Sequence, residues 1–241
     1  MPVTTLDRVA VPPDVVAFDV IDTLFSLASL EPLLAGAGGG PSTLELWFRR
    51  LLGDGFALTA AGDYRSFSDV AKASLRSVLP DAHDHDLEAV VAGLAELDAH
   101  PDSAPAMGRA VEGARVVVLT NGSARSTHAL LERGGLDAFV DTVVSVADAK
   151  AWKPAAAPYL HAAAVLDVAP ERLAMATVHP WDVHGAHRAG LTTGWCNRDG
   201  RRYPATFHVA DVHGPELVSV VEALLGLGVS GLGVSGSEVS G

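Results

Sequence analysis

The apolar, β-branched run Val15-Val16-Ala17 passes directly into Phe18-Asp19-Val20-Ile21-Asp22-Thr23-Leu24-Phe25. This junction constrains the fold more than any other stretch of the chain. A buried strand here delivers a carboxylate to its own C-terminal end, where a tight turn begins. Open parallel α/β sheets place their chemistry at that edge. A carboxylate so placed can act as a nucleophile, forming a covalent ester and splitting one hard displacement into two easier ones. Asp19 is the candidate.

The rest of the chain repeats the strand-then-helix rhythm. Arg115–Leu119, Thr142–Val146 and Arg172–Val178 read as further core strands, and Leu191–Trp195 as a weaker one. Between them, Ala124–Arg133 and Ala157–Leu166 carry helical periodicity. Alternation of this kind predicts an α/β fold, a parallel sheet covered on both faces. The stretch from about Ala28 to Met107 breaks the rhythm. Its segments Ser42–Leu52, with Leu44, Trp47, Phe48 and Leu51 on one face, Ser68–Val78, with Ser68 as N-cap, and Asp86–Leu97 read as three helices without a convincing strand. Gly36–Gly40 and His100–Pro105 are breaker-rich and read as turns near its borders. The expectation is an inserted all-helical cap at 28–107, a core formed by 1–27 and 108–227, and a flexible Gly/Ser-rich tail at 228–241.

Apolar residues make up 49% of the 241, enough for a sizeable core, and the formal net charge is −12. No basic block exists to release phosphate counterions, so a nucleic-acid partner is not expected. An anionic substrate would have to be drawn in by local groups against the overall field. No stretch approaches the roughly 20 apolar residues of a membrane span, and Met1–Ala10 lacks a signal-peptide core. Cys196 is the only cysteine, which forbids an internal disulfide and reads as a small buried filler. A cytoplasmic protein is the default expectation.

Three further motifs fall at predicted strand ends. Thr120-Asn121-Gly122-Ser123 combines small hydroxyl and amide side chains with free N–H groups at a helix start, a combination suited to anions. Lys153 precedes Pro154, which disfavours helix at the lysine and leaves its side chain free to reach inward. A lysine beside a nucleophilic aspartate keeps it ionised and helps neutralise an incoming carboxylate. Lys150 reads as a solvated surface charge. The last motif, His179-Pro180-Trp181-Asp182-Val183-His184-Gly185-Ala186, offers Asp182 to anchor Lys153 or orient water. It also offers His179, whose side-chain type titrates nearest neutrality, as a candidate base. His179, His184 and His187 lie close in sequence, yet no carboxylate or thiol completes a ligand spacing, so no metal is expected.

Taken together, Asp-x-x-x-Thr-Leu, Thr-Asn-Gly-Ser, Lys-Pro-x-x-x-x-Tyr, Trp-Asp-x-x-Gly-Ala and the closing Gly-Trp-Cys-Asn-Arg resemble the type II (L-specific) 2-haloacid dehalogenases of the haloacid dehalogenase superfamily. The resemblance runs from Val15 to about Val220. It implies a Rossmann-like parallel-sheet core with an all-helical cap, hydrolysis without a metal or other cofactor, a small carboxylate substrate and a homodimer. By matching position it makes Asp19 the nucleophile, with Thr23 beside it. Thr120 and Asn121 would hold the substrate carboxylate, Thr23 and Tyr159 are counted with them among the substrate-binding groups, and Lys153, Tyr159 and Asp182 would support the nucleophile and the ester-hydrolysing water.

Four departures from that pattern shape the expectation. Ile21 stands for the usual tyrosine, Asp22 for a glycine and His179 for an asparagine. Phe48 stands for the cap arginine credited with gripping the halide, while Arg49 and Arg50 lie off the apolar helix face. The leaving-group side should therefore be an apolar wall, with His179 and Trp181 as the groups that meet the departing charge, or with His179 as the base for ester hydrolysis. The phosphatases of the superfamily carry a second Asp where Ile21 stands and a metal-holding acid where Val178 stands. The leading expectation is thus hydrolytic dehalogenation of a 2-haloalkanoic acid to a 2-hydroxy acid. A phosphate ester or another activated or strained carbon as substrate, and a non-catalytic binding protein on the same fold, stay open as alternatives.

Overall fold

The β-branched run forms a strand where its composition predicts one. In the computed structural model, which describes residues 12–226, β1 (Val15–Phe18) is followed by the two-residue β2 (Phe25–Ser26). Four helices come next, α1 (Glu31–Gly36), α2 (Thr43–Ala60), α3 (Phe67–Val78) and α4 (Asp84–Gly93). The chain returns through β3 (Asp98–Ala99) and α5 (Ser103–Ala110) to β4 (Arg115–Thr120), α6 (Ala124–Arg133), β5 (Thr142–Ser145) and the short α7 (Val146–Ala149). It ends with α8 (Ala156–Val165), β6 (Leu173–Thr177), α9 (Pro180–Arg188), β7 (Thr192–Cys196), β8 (Val212–Gly214) and α10 (Leu217–Leu225). The expectations for Met1–Ala10 and the 228–241 tail lie outside the described residues.

Six strands form one sheet in the order β5-β4-β1-β6-β7-β8, every neighbouring pair parallel. Chain direction reverses its march across the sheet between β1 and β6. In such doubly wound sheets the ligand crevice opens outside the carboxyl ends of the strands at that switch point. The pleat divides β1 between two cores: Val16 and Phe18 face one apolar cluster, Val15 and Ala17 the other. β1 has no accessible residue, as expected for a central strand buried on both faces.

The insertion differs in detail from its sequence reading. Helix α2 continues past Leu52 to Ala60, because Phe56, Ala57 and Leu58 are adequate helix formers and Gly55 is needed where it is: a Cβ there would lie 2.4 Å from the Trp152 ring. Ser66, not Ser68, caps α3, since its hydroxyl oxygen accepts from the Asp69 N–H at 3.2 Å, the reach a cap requires. Helix α4 starts at Asp84 and stops at Gly93, short of Leu97, and α1 had no recognised signal. β3 pairs antiparallel with β2, tying the two ends of the insertion together. Ser103–Pro105 open α5 instead of completing a turn, since proline is tolerated in a first helical turn. β8, three residues long, was too short to register. No described helix is long and apolar enough to cross a membrane.

Candidate active site

The carboxyl ends of β1 and β6 flank the switch point, and each delivers an aspartate to it. Asp19 follows β1 immediately, and Asp182 lies in the first turn of α9, which follows β6. Lys153 bridges them: its Nζ is 2.8 Å from Asp19 Oδ1 and 2.8 Å from Asp182 Oδ2. Lys153 and Asp182 are fully buried, and Asp19 is 6% exposed. Tyr159, on α8, donates its hydroxyl to Asp182 Oδ1 at 2.6 Å. Thr23 donates to Asp19 Oδ2 at 2.9 Å.

The loop that carries Lys153 is held from three sides. Its own N–H donates to Asn121 Oδ1 at 2.9 Å, which leaves the Asn121 amide N–H groups for another acceptor. Next to it, Trp152 donates its backbone N–H to Thr59 Oγ1 (3.0 Å) and its indole N–H to the Arg65 carbonyl (2.9 Å), and stacks on Phe67. On the third side a Cβ at Gly185 would meet Pro154 at 2.6 Å and the Tyr159 hydroxyl at 2.7 Å. Only glycine lets α9 approach so closely. The Lys153–Pro154 peptide is cis. In the β1 turn, Asp22 adopts φ +66°, the left-handed region in which Asp is one of the few tolerated side chains.

His179 sits between β6 and α9. Its Nε2 is 3.0 Å from the Ile21 carbonyl and 3.6 Å from Asp19 Oδ2. A carbonyl only accepts, so Nε2 carries the proton in this hydrogen bond. The ring stacks on Trp181, centroids 5.0 Å apart, and lies 6.0 Å from Phe48. Thr177 Oγ1 accepts from the His179 N–H at 3.1 Å, which fixes the start of the loop.

A cavity of about 20 Å³ opens over Asp19, walled by Ile21, Phe48, Leu52, Phe67, His179 and Trp181 with Thr120, Asn121 and Gly122 on the core side. It has room for about one water. The helices of the insertion thus close over Asp19, and an apolar wall stands opposite it. Arg49 and Arg50 point away, paired on the surface with Glu45 and Asp54.

Burial by itself would raise the Asp19 carboxyl, but the Lys153 ammonium, with His179 and the bonds from Lys153 and Thr23, holds it below the usual carboxylate range. Asp182 is pushed up by burial and then by Asp19, more than Lys153 and Tyr159 lower it. Lys153 is held above its ordinary value by the two carboxylates despite burial. Burial pushes Tyr159 well up. The two carboxylates that share one cation are thus shifted in opposite directions, Asp19 down and Asp182 up.

The structure therefore gathers Asp19, Thr23, Phe48, Thr120, Asn121, Lys153, Tyr159, His179, Trp181 and Asp182 around one point. Two of them are placed otherwise than a substrate-contacting role requires. Thr23 and Tyr159 are fully buried and do not line the cavity; each donates its hydroxyl to one of the two aspartates. Leu52, Phe67, Trp152 and Thr177 were missed. Periodicity marks Leu52 and Phe67 only as core, and nothing in sequence reveals that they meet Asp19. Cys196 is buried, with its thiol pushed up to about 11 by desolvation, in keeping with a filler. Lys150 is exposed and lies 5.1 Å from the Tyr64 ring centroid. Among the described residues no group of three or more His, Cys, Asp or Glu side chains could hold a metal ion.

A doubly wound sheet with a carboxylate–lysine–carboxylate triad at its switch point, under inserted helices, defines a class of hydrolases. The family model for haloacid dehalogenase-like hydrolases matches residues 13–190, and the chain belongs to that family. It is 23% identical over 219 residues to haloacetate dehalogenase H-2 of Moraxella sp. (strain B), covering 88% of this chain and 97% of the relative. It is 28% identical over 190 residues to (S)-2-haloacid dehalogenase 4A of Burkholderia cepacia, covering 76% and 82%. Its fold matches the structure of L-2-haloacid dehalogenase from Xanthobacter autotrophicus with chloropropionic acid covalently bound, with a TM-score of 0.82 over 92% of this chain and 100% of that one, at 20% identity.

Proposed function

We propose that the protein converts a small 2-haloalkanoic acid to the 2-hydroxy acid through an aspartyl ester. The observation that carries this reading is Asp19 held at 2.8 Å by the Lys153 ammonium and facing a small pocket walled by Ile21, Phe48, Leu52, Phe67 and Trp181, with no acid where Ile21 stands. Asn121 and the N–H groups at the start of α6 take the substrate carboxylate. An Asp19 oxygen attacks C2, and the carbon–halogen bond breaks with its electron pair on the halide. Water then adds to Asp19 Cγ, a base takes its proton, and the hydroxy acid departs with the Asp19 oxygen. A halide is a weak base and needs no proton to leave, so Ile21 is no handicap. Asp182 and Tyr159 act through Lys153, which they hold in place. Relatives named haloacetate and (S)-2-haloacid dehalogenase support this substrate class. The same reading takes 28–107 as a cap domain over a core of 1–27 and 108–227, and carries with it a cytoplasmic setting and a homodimer.

Halide release from a panel of 2-halo acids, with and without EDTA, tests the proposal. We expect release that is unchanged by the chelator, because the side chains of Ile21 and Val178 offer no oxygen to a metal. Phosphate release from phosphate esters, abolished by EDTA and restored by Mg²⁺, would replace the reading by a phosphatase.

His179 has two roles open to it, separable by kinetics. As base for ester hydrolysis, its replacement in His179→Ala allows a stoichiometric burst of halide followed by a stall, with steady turnover lower by about 10²–10⁴-fold. As the group that meets the leaving halide, the burst itself slows, most for the poorest leaving group. Both steps unchanged would make the residue structural.

A further inference from the structure

The closed pocket over Asp19 is too small for even a three-carbon acid, yet it is not isolated. A second cavity of about 270 Å³ lies between the inserted helices and the core, and Ile21, Phe67, Thr120 and Gly122 line both. Its walls are apolar, formed by Val20, Val91, Leu94 and Leu130 beyond the shared Ile21 and Phe67. Hydroxyls of Ser66, Ser68, Ser123 and Ser126 are also among its lining groups. None of its described lining residues is an Asp, Glu, Lys, Arg or His. Such a cavity does not favour a second anion, and it differs from the cavity on the other side of His179, of about 240 Å³, whose lining carries charges of both signs, Asp22 and Asp199 with Arg198, Arg201 and Arg202.

We infer that the uncharged cavity receives the side chain on C2 of the substrate, and that the preferred substrates are 2-halo acids with an extended unbranched tail of about six carbons. The inference rests on the dehalogenase reading and deepens it. C2 carries a carboxylate, a halogen, a hydrogen and one remaining substituent. The carboxylate goes to Asn121, and the halogen points away from Asp19 toward Phe48 and Trp181. The remaining substituent leaves by the one boundary shared with a larger apolar space, at Ile21 and Phe67. Its volume is close to the lower end of the roughly 300–1,000 Å³ of small-molecule sites, suited to a slender chain more than a fused ring system.

The test is a chain-length series. For the native protein, kcat/KM should rise from 2-bromopropionate to 2-bromooctanoate, by about fourfold per methylene where burial is complete and by at least about tenfold across the series. Ala95 and Ser68 line the cavity at exposed positions, so Ala95→Trp and Ser68→Trp can fill it from two sides without disturbing the core. Each should bring the octanoate-to-propionate ratio down to about one. A native ratio at or below one, or a ratio that neither variant changes, overturns the tail pocket and leaves an access route only. If no 2-halo acid releases halide, the dehalogenase reading fails by itself. Calorimetric binding of plain octanoate, tighter than propionate in the native protein and not in Ala95→Trp, then still decides whether the cavity takes a tail.

Discussion

Asp19→Asn should lose halide release by about 10⁴-fold or more, the scale seen when a covalent nucleophile is removed, while the protein stays folded. The amide keeps the side chain's shape: its single oxygen can still accept from Lys153, which donates to Oδ1 at 2.8 Å in the native protein, while the Thr23 hydroxyl, which donates to Oδ2 at 2.9 Å, must turn to accept from the amide N–H. What it lacks is a charged oxygen able to displace a halide. The native enzyme provides the positive counterpart. One turnover in ¹⁸O water with enzyme in excess should put the label into Asp19 and leave the first hydroxy acid unlabelled. Label in that first product would mean that water attacks C2 directly. The pH dependence follows from the sign of the shift. Asp19 sits below its usual range, so its charge is present throughout neutral pH and is lost only as pH falls through that lowered value. No acid limb between about pH 5 and 8 should belong to Asp19.

Lys153→Met should be damaging in two measurable ways. The native lysine is fully buried between two carboxylates at 2.8 Å each, and removing it leaves two buried negative groups without their cation. Breaking such a pair costs about 3–5 kcal/mol, or very roughly 10 °C in Tm for a chain of this size. One carboxylate must then take up a proton, and kcat/KM should fall by about 10²–10⁴-fold, with its acid limb moved up toward neutrality. In the native protein the lysine's raised value gives the opposite signature. Its stabilising contribution is complete below the ordinary lysine value of 10.5 and is lost as pH rises through the higher folded value. The variant should not show that alkaline loss. A variant with native Tm and native turnover would remove Lys153 from the site.

Local signals carried much of this molecule. A β-branched run ending in Asp19, a helix start at Thr120–Ser123 and a lysine before Pro154 each announce themselves within a few residues. Strand propensity and the conformational restrictions of proline act over that range. Alternating strands and helices in turn imply a parallel sheet, whose carboxyl edge is the same for every strand, so motifs far apart in the chain converge. Phe48, set on the apolar face with Trp47 and Leu51, was readable as an inward group from helical spacing alone. By sequence Thr23 and Tyr159 also count among the substrate-binding groups, whereas both are buried and bonded to the two aspartates.

Only the tertiary structure decided which partner each group meets. Ser66 prevailed over Ser68 as the cap because hydrogen-bond reach, not residue type, distinguishes them. The burial of Lys153 between two aspartates depends on a loop held by Trp152, Asn121 and Gly185, through contacts separated by up to 93 residues and silent in any local window. The tail cavity exists only where α3 and α4 fail to close against α6, a volume left between elements that no sequence pattern encodes. By itself the sequence determined which chemistry the chain carries and the edge of the sheet that bears it. Which oxygens, ring faces and empty spaces surround that chemistry was settled by packing, because those depend on distances between segments that local propensity does not control.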